Sequence, residues 1–206
     1  MRKNLLLCLA CILMLALPAF AQEKEMANPA AMPMTPPQPL SDDLFKWMVG
    51  EWEGWSTSPM GKSQDWQKIE WALDNQFIVI HYTAKTTEPN QEAMKAMADA
   101  AKMSKADMDK MQNMGYKGMG PMTINPQTGE VTAMWFDNMR GSYKGKGKRE
   151  GNKITMTWEG PMGARTDTTE KVSEDKMVVT YTNKEPDGKV TEGRTEFTRK
   201  KGASKT

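Results

Sequence analysis

From Glu51 onward the chain alternates apolar and polar residues in short runs, each broken by turn-forming residues. A period of two is the mark of a half-buried strand. It predicts ten strands, near 51–57, 65–73, 76–85, 116–124, 130–137, 142–149, 153–159, 164–172, 176–183 and 190–199. The breaks carry turn chemistry: Asp74-Asn75, Asn125-Pro126 with Gly129, Glu150-Gly151-Asn152, Ser173-Glu174-Asp175 and Pro186-Asp187-Gly188. Proline and glycine supply the φ values that tight hairpins need. Ten strands joined mostly by hairpins make an up-and-down antiparallel sheet, and closure into a barrel removes its two edges. The expected fold class is mainly β, an antiparallel barrel of about ten strands.

Two stretches follow a helical pattern instead. Ser41, followed by Asp42 and Asp43, reads as the N-cap of a short helix carrying Leu44, Phe45, Trp47 and Met48, which Gly50 ends. Residues 88–114 are rich in alanine and methionine and hold no β-branched residue. They read as two short helices inserted between the third and fourth strands, over one barrel mouth, with Ser104 and Asp107 as a cap.

The N-terminus assigns a compartment. Arg2 and Lys3, the apolar run Leu5 to Leu17, and Ala19-Phe20-Ala21 have the layout of a secretory signal peptide cleaved after Ala21. A lipobox at Leu9-Ala10-Cys11 would leave almost no apolar leader. Residues 22–40 hold five prolines and read as a flexible tether, 41–200 as the barrel domain, and 201–206 as a basic tail. Both cysteines, Cys8 and Cys11, leave with the leader, so the barrel domain has no disulfide to stabilise it. The formal charge is +2, and it falls to zero once Arg2 and Lys3 are removed. A balanced chain with no basic block gives no electrostatic case for nucleic acid, and no membrane-spanning segment is expected after cleavage. A periplasmic or secreted location follows.

The short helix and the Gly50-Glu51-Trp52 entry into the first strand resemble the G-x-W signature of lipocalins and other calycins. In those proteins the tryptophan plugs the closed end of the barrel. Gly54 extends the match to the G-x-W-x-G start of nitrobindin-like haem barrels, and the resemblance implies that Arg199 of "FTRK" lies across Trp52. Tyr116 to Met139 and Asp187 to Lys200 resemble a bacterial calycin-like family of unknown function. That resemblance covers roughly 41–200 apart from the insertion, and implies a fold without an activity. Trp55, on the strand face opposite Trp52, is expected to pack under the N-terminal helix near Trp47, or else to sit half-exposed.

Catalysis is poorly supplied, and the protein is read as a non-enzyme. The barrel domain has a single histidine, His81; "GWSTS" lacks the second glycine of a nucleophile elbow, and "MGKS" lacks the first glycine of a phosphate loop. His81 would be the only imidazole for haem iron, and the nitrobindin-like haem histidine near the end of the chain has no counterpart here. No cofactor is expected on these grounds, although Cu(I) stays open. Met94, Met97, Met108, Met111 and Met114 recur at helical spacing in the insertion, and thioethers favour Cu(I). The same stripe suits adaptable packing over a cavity or against a protein partner.

The strands offer a third chemistry. Ile69, Trp71, Trp135, Met156 and Trp158 alternate with polar neighbours and are read as facing inward. Arg165, Arg194 and Tyr181 sit on the charged faces of late strands, which are either solvated or, as in fatty-acid-binding barrels, turned inward around a carboxylate. The leading expectation is binding of a small apolar or amphipathic molecule inside the barrel, with Ile69, Trp71, Trp135, Trp158, Tyr181, Arg165 and Arg194 as its lining.

Overall fold

The computed structural model describes residues 37–160, 163–184 and 188–202. The leader 1–21, most of the tether and the end of the basic tail lie outside them. Among the described residues the elements are α1 (Asp43–Met48), β1 (Gly50–Ser58), β2 (Gly61–Ala72), β3 (Phe77–Pro89), α2 (Gln91–Ala100), α3 (Lys105–Met114), β4 (Tyr116–Ile124), β5 (Glu130–Asp137), β6 (Ser142–Glu150), β7 (Lys153–Gly160), β8 (Gly163–Lys171), β9 (Lys176–Lys184) and β10 (Val190–Arg199). The strands form a closed antiparallel barrel in which each pairs with its sequence neighbours and β1 closes on β10. Every strand read from the alternation is present.

The cap of α1 differs from expectation. Asp42, not Ser41, is the N-cap, its Oδ1 accepting from the backbone N–H of Leu44 at 2.9 Å and of Phe45 at 3.0 Å. A carboxylate at this position satisfies two free donors and also suits the positive helix end. β3 continues to Pro89, so the insertion starts two residues later than 88. Ser104 caps α3 as read, accepting from the Asp107 N–H at 3.1 Å.

One end of the barrel is closed by α1. Leu44, Phe45, Trp47 and Met48 are buried together with Trp52, Ile69, Ile78, Met122, Ile124, Val131, Ile154, Met156, Met177 and Phe197 in one apolar cluster. Trp52 has no exposed surface. Its indole N–H donates to the Met48 carbonyl at 2.8 Å, and its ring meets Trp47 edge-on at 5.0 Å. Arg199 lies over the Trp52 ring at 4.0 Å and donates to the carbonyls of Val49, at 2.9 Å, and Trp47. The two signature glycines make this possible. Gly50, at φ +137°, would bring a Cβ to 2.6 Å from the Arg199 guanidinium, and a Cβ on Gly54 would collide with the Glu196 carbonyl. The G-x-W-x-G motif is therefore a steric allowance for the last strand to cross the tryptophan.

Trp55 does not pack under α1. It points outward from β1 and is 59% exposed, because the place beside Trp47 is filled by Trp52. Met119 and Phe136 are also exposed on the outer face of β4 and β5, whereas Thr155, Thr168 and Thr180 align across β7, β8 and β9. β-branched threonine favours the strand while facing water.

Candidate functional site: the open half of the barrel

Strand alternation, carried round the barrel by the cross-strand registers, fixes what faces the interior. Trp52, Gly54 and Ser56 of β1 stand beside Asp65 and Gln67 of β2, then Ile80, Tyr82 and Ala84 of β3 and Tyr116, Gly118 and Gly120 of β4. The far wall continues with Trp135 and Asp137, then Tyr143, Gly145, Trp158, Arg165, Asp167 and Tyr181, and returns through Gly193 and Thr195. The half near α1 is apolar. The other half, where the β1–β2 hairpin and the insertion lie, is aromatic and polar.

The rings of the open half form a continuous band. Tyr82 meets Tyr116 at 5.9 Å and Trp135 at 6.4 Å, and Trp135 meets Trp158 at 6.5 Å, all edge-on. The Trp135 indole N–H donates to the Tyr116 hydroxyl at 2.8 Å. Four inward glycines place rings against the wall. A Cβ on Gly118 would enter the Trp135 ring, on Gly145 the Trp158 ring at 2.7 Å, on Gly160 the Tyr143 ring and on Gly193 the Tyr181 ring. Each ring lies against a bare stretch of the neighbouring strand. These aromatic residues stay partly accessible.

At the base of the open half Asp65 is fully buried. Its carboxylate accepts from Ser63 and from the Tyr82 hydroxyl, both at 2.6 Å, from Thr195 at 3.4 Å, and from Ser56. A buried carboxylate is tolerated when its lone pairs are met this way. Burial, with Asp65 beside it, drives the Tyr82 hydroxyl far above its ordinary titration range. Burial pushes Tyr116 up to about 12. Asp137 at the rim accepts from the Gly141 and Met139 backbone N–H at 2.8 and 2.9 Å and from Tyr116 at 3.4 Å. Arg165 donates to Asp167 at 2.5 Å and lies 4.1 Å from the centre of the Tyr181 ring. Burial raises the Asp167 carboxyl, and Arg165 opposes that rise. Trp158 Nε1 is buried and closes no hydrogen bond among the described residues.

The residues read from sequence are thus divided. Trp135, Trp158, Arg165 and Tyr181 meet in the open half. Ile69 is sealed in the closed-end cluster, and Trp71 packs against that cluster from the same end, so neither lines the open half. Arg194 is a correction: it points outward from β10 and donates to Glu196 at 2.9 Å, because its register partner Thr180 also faces out. His81 also faces out, 3.2 Å from Glu70, away from any interior haem position. In the insertion Met94 is buried, Met97 and Met108 are partly buried and Met114 is exposed. The Met111 side chain is not described. A hollow of about 560 Å³ lies along β9 and β10, lined by Thr57, Thr180, Tyr181, Glu192, Gly193 and Arg194. Another of about 210 Å³ lies beside His81 and Lys68.

Asp65, Tyr82, Tyr116 and the ring-bearing glycines did not stand out in the sequence. One signal was available. Folding each hairpin in register places Gly145 opposite Trp158 and Gly193 opposite Tyr181, and glycine facing an aromatic across a strand pair marks a ring lying on the backbone.

No family profile and no curated protein matches this sequence. Solved structures match it in fold. The S-type phycobiliprotein lyase of Guillardia theta is 12% identical, with a TM-score of 0.50 over 77% of this chain and 91% of its own. Rv2717c of M. tuberculosis is 9% identical, with a TM-score of 0.52 over 75% of this chain and 94% of its own. At such identities the likeness concerns architecture: the chain is a closed, ten-stranded antiparallel barrel of calycin-like type.

Proposed function

We propose that this protein binds a small amphipathic molecule in the open half of its barrel, without catalysis and outside the cytoplasm. The observation that carries the proposal is the set of four rings laid against inward glycines. A ring resting on a bare glycine takes up less of the lumen than one set against a larger inward side chain. Binding without chemistry is supported by the occupation of the polar groups. The Ser56 and Tyr82 hydroxyls donate to Asp65, and His81 stands outside the wall. The location rests on the leader sequence alone.

Native mass spectrometry of the mature protein, isolated from the envelope of its host without a metal-affinity step, tests this directly. An organic mass that is lost from a Trp135→Ala, Trp158→Ala double variant supports the proposal. An adduct of copper that survives in that variant would move the function to the methionines of α2 and α3, and a bare chain would count against a carrier.

A further inference from the structure

The open half has a sign. Its described inward carboxyls are Asp65, Asp137 and Asp167, and its described inward cation is Arg165. Lys62, Lys85, Lys117, Lys144, Lys146 and Lys184 belong to the same strands but alternate to the outer face. The described inward cation gives its Nε to Asp167 and lies over the Tyr181 ring, so one of the three inward carboxylates is already offset. Asp65 and Asp137 have hydroxyl and backbone N–H partners, and no basic side chain among the described residues pairs with either. The basic groups that do face inward, Arg149, Lys171 and Arg199, belong to the closed end, where Asp42, Glu174 and Asp175 answer them.

Aromatic faces add to this sign, since the ring quadrupole is negative over the face and attracts a cation within about 6 Å. A lumen walled by low-dielectric strands makes both terms stronger than they are in water. From these observations, and resting on the binding role proposed above, we infer that the open half takes a cationic amphipath: an organic ammonium carried on an apolar or aromatic body. A fatty-acid-like carboxylate would meet the Asp137 carboxylate and the field of buried Asp65, and it would have to share Arg165 with Asp167, because Arg194 faces out.

Three ligands with one body test this: naphthylmethylammonium, naphthalenemethanol and naphthoate, titrated at neutral pH and low salt with tryptophan fluorescence as the readout. The ammonium is expected to bind about tenfold or more tighter than naphthoate, with the alcohol between them. Arg165→Gln, which removes the inward cation, should widen the ratio of ammonium to naphthoate affinity, whereas a merely structural loss would weaken all three ligands together. Asp65→Asn should narrow the ratio, and the Arg165 variant keeps the test valid if that substitution does not fold. Naphthoate binding as tightly as the ammonium would overturn the charge preference while leaving a binding chamber in place. Failure of all three, the neutral alcohol included, would overturn the chamber and the preference together.

Discussion

On β2, Ile69 and Asp65 point to the same side of the same strand, four residues apart, and both are fully buried. Ile69 belongs to one apolar cluster with Ile78, Trp52 and Phe197. Asp65 is surrounded by hydroxyls that all donate to it. The two halves of the barrel thus share strands, register and alternation, and differ only in what the inward positions hold. A barrel wall needs the alternation and not apolar content, so one end can be packed for stability while the other carries chemistry. The glycines divide the same way. Gly50 and Gly54 bring β10 and its arginine close to Trp52, whereas Gly118, Gly145, Gly160 and Gly193 draw rings back from the lumen.

Substitution at matched positions should separate the halves. Trp52→Ala should cost about 3–5 kcal/mol in chemical denaturation, as large core truncations do. Trp158→Ala should cost about 1–2 kcal/mol and remove ligand binding. Equal losses at the two sites would mean that both halves are core. Next in size, Arg199→Met should cost about 2–3 kcal/mol in the same assay, since it strips the donors from the Val49 and Trp47 carbonyls. Gly145→Ala should cost about 1–3 kcal/mol and shift the Trp158 emission, because the new methyl displaces the ring. Native emission would show that the ring does not rest on that glycine.

A pH dependence belongs to the open half. Tyr116 is raised from its ordinary 10.0 to about 12, chiefly by burial. The folded state therefore holds this proton more tightly than the unfolded state does. Its contribution to stability is complete below pH 10.0 and is lost as the pH climbs to about 12. Urea midpoints measured across that window should fall, and Tyr116→Phe should flatten the fall. The smallest effect is expected outside both halves, where Trp55→Ser should stay within about 0.5 kcal/mol of the parent.

The sequence made the scaffold readable and left its inner phase ambiguous. All ten strands follow from alternation and turn chemistry, and the cluster around Trp52 follows from the helix and G-x-W entry. β8 and β10 show why lining residues are harder. Both alternate charge with threonine or glycine, with little apolar side chain in their central stretches to mark the inner face. The register through β9 settles it, turning Arg165 and Asp167 inward and Arg194 and Glu196 outward. Trp55 misled for a related reason, since an aromatic residue near a helix invites a packing partner only if the place is vacant. Asp65 was hidden because its hydroxyl partners come from β1, β2, β3 and β10, a convergence that no local pattern encodes.

The most direct test of a lined, accessible open half is fluorine NMR of fluorotryptophan-labelled protein titrated with naphthalenemethanol, with each resonance assigned by single substitution. Trp135 and Trp158 should shift with ligand while Trp47 and Trp52, sealed at the other end, keep their positions. Shifts confined to the outward Trp55 and Trp66, or a response spread equally to Trp52, would contradict a binding chamber in this half of the barrel.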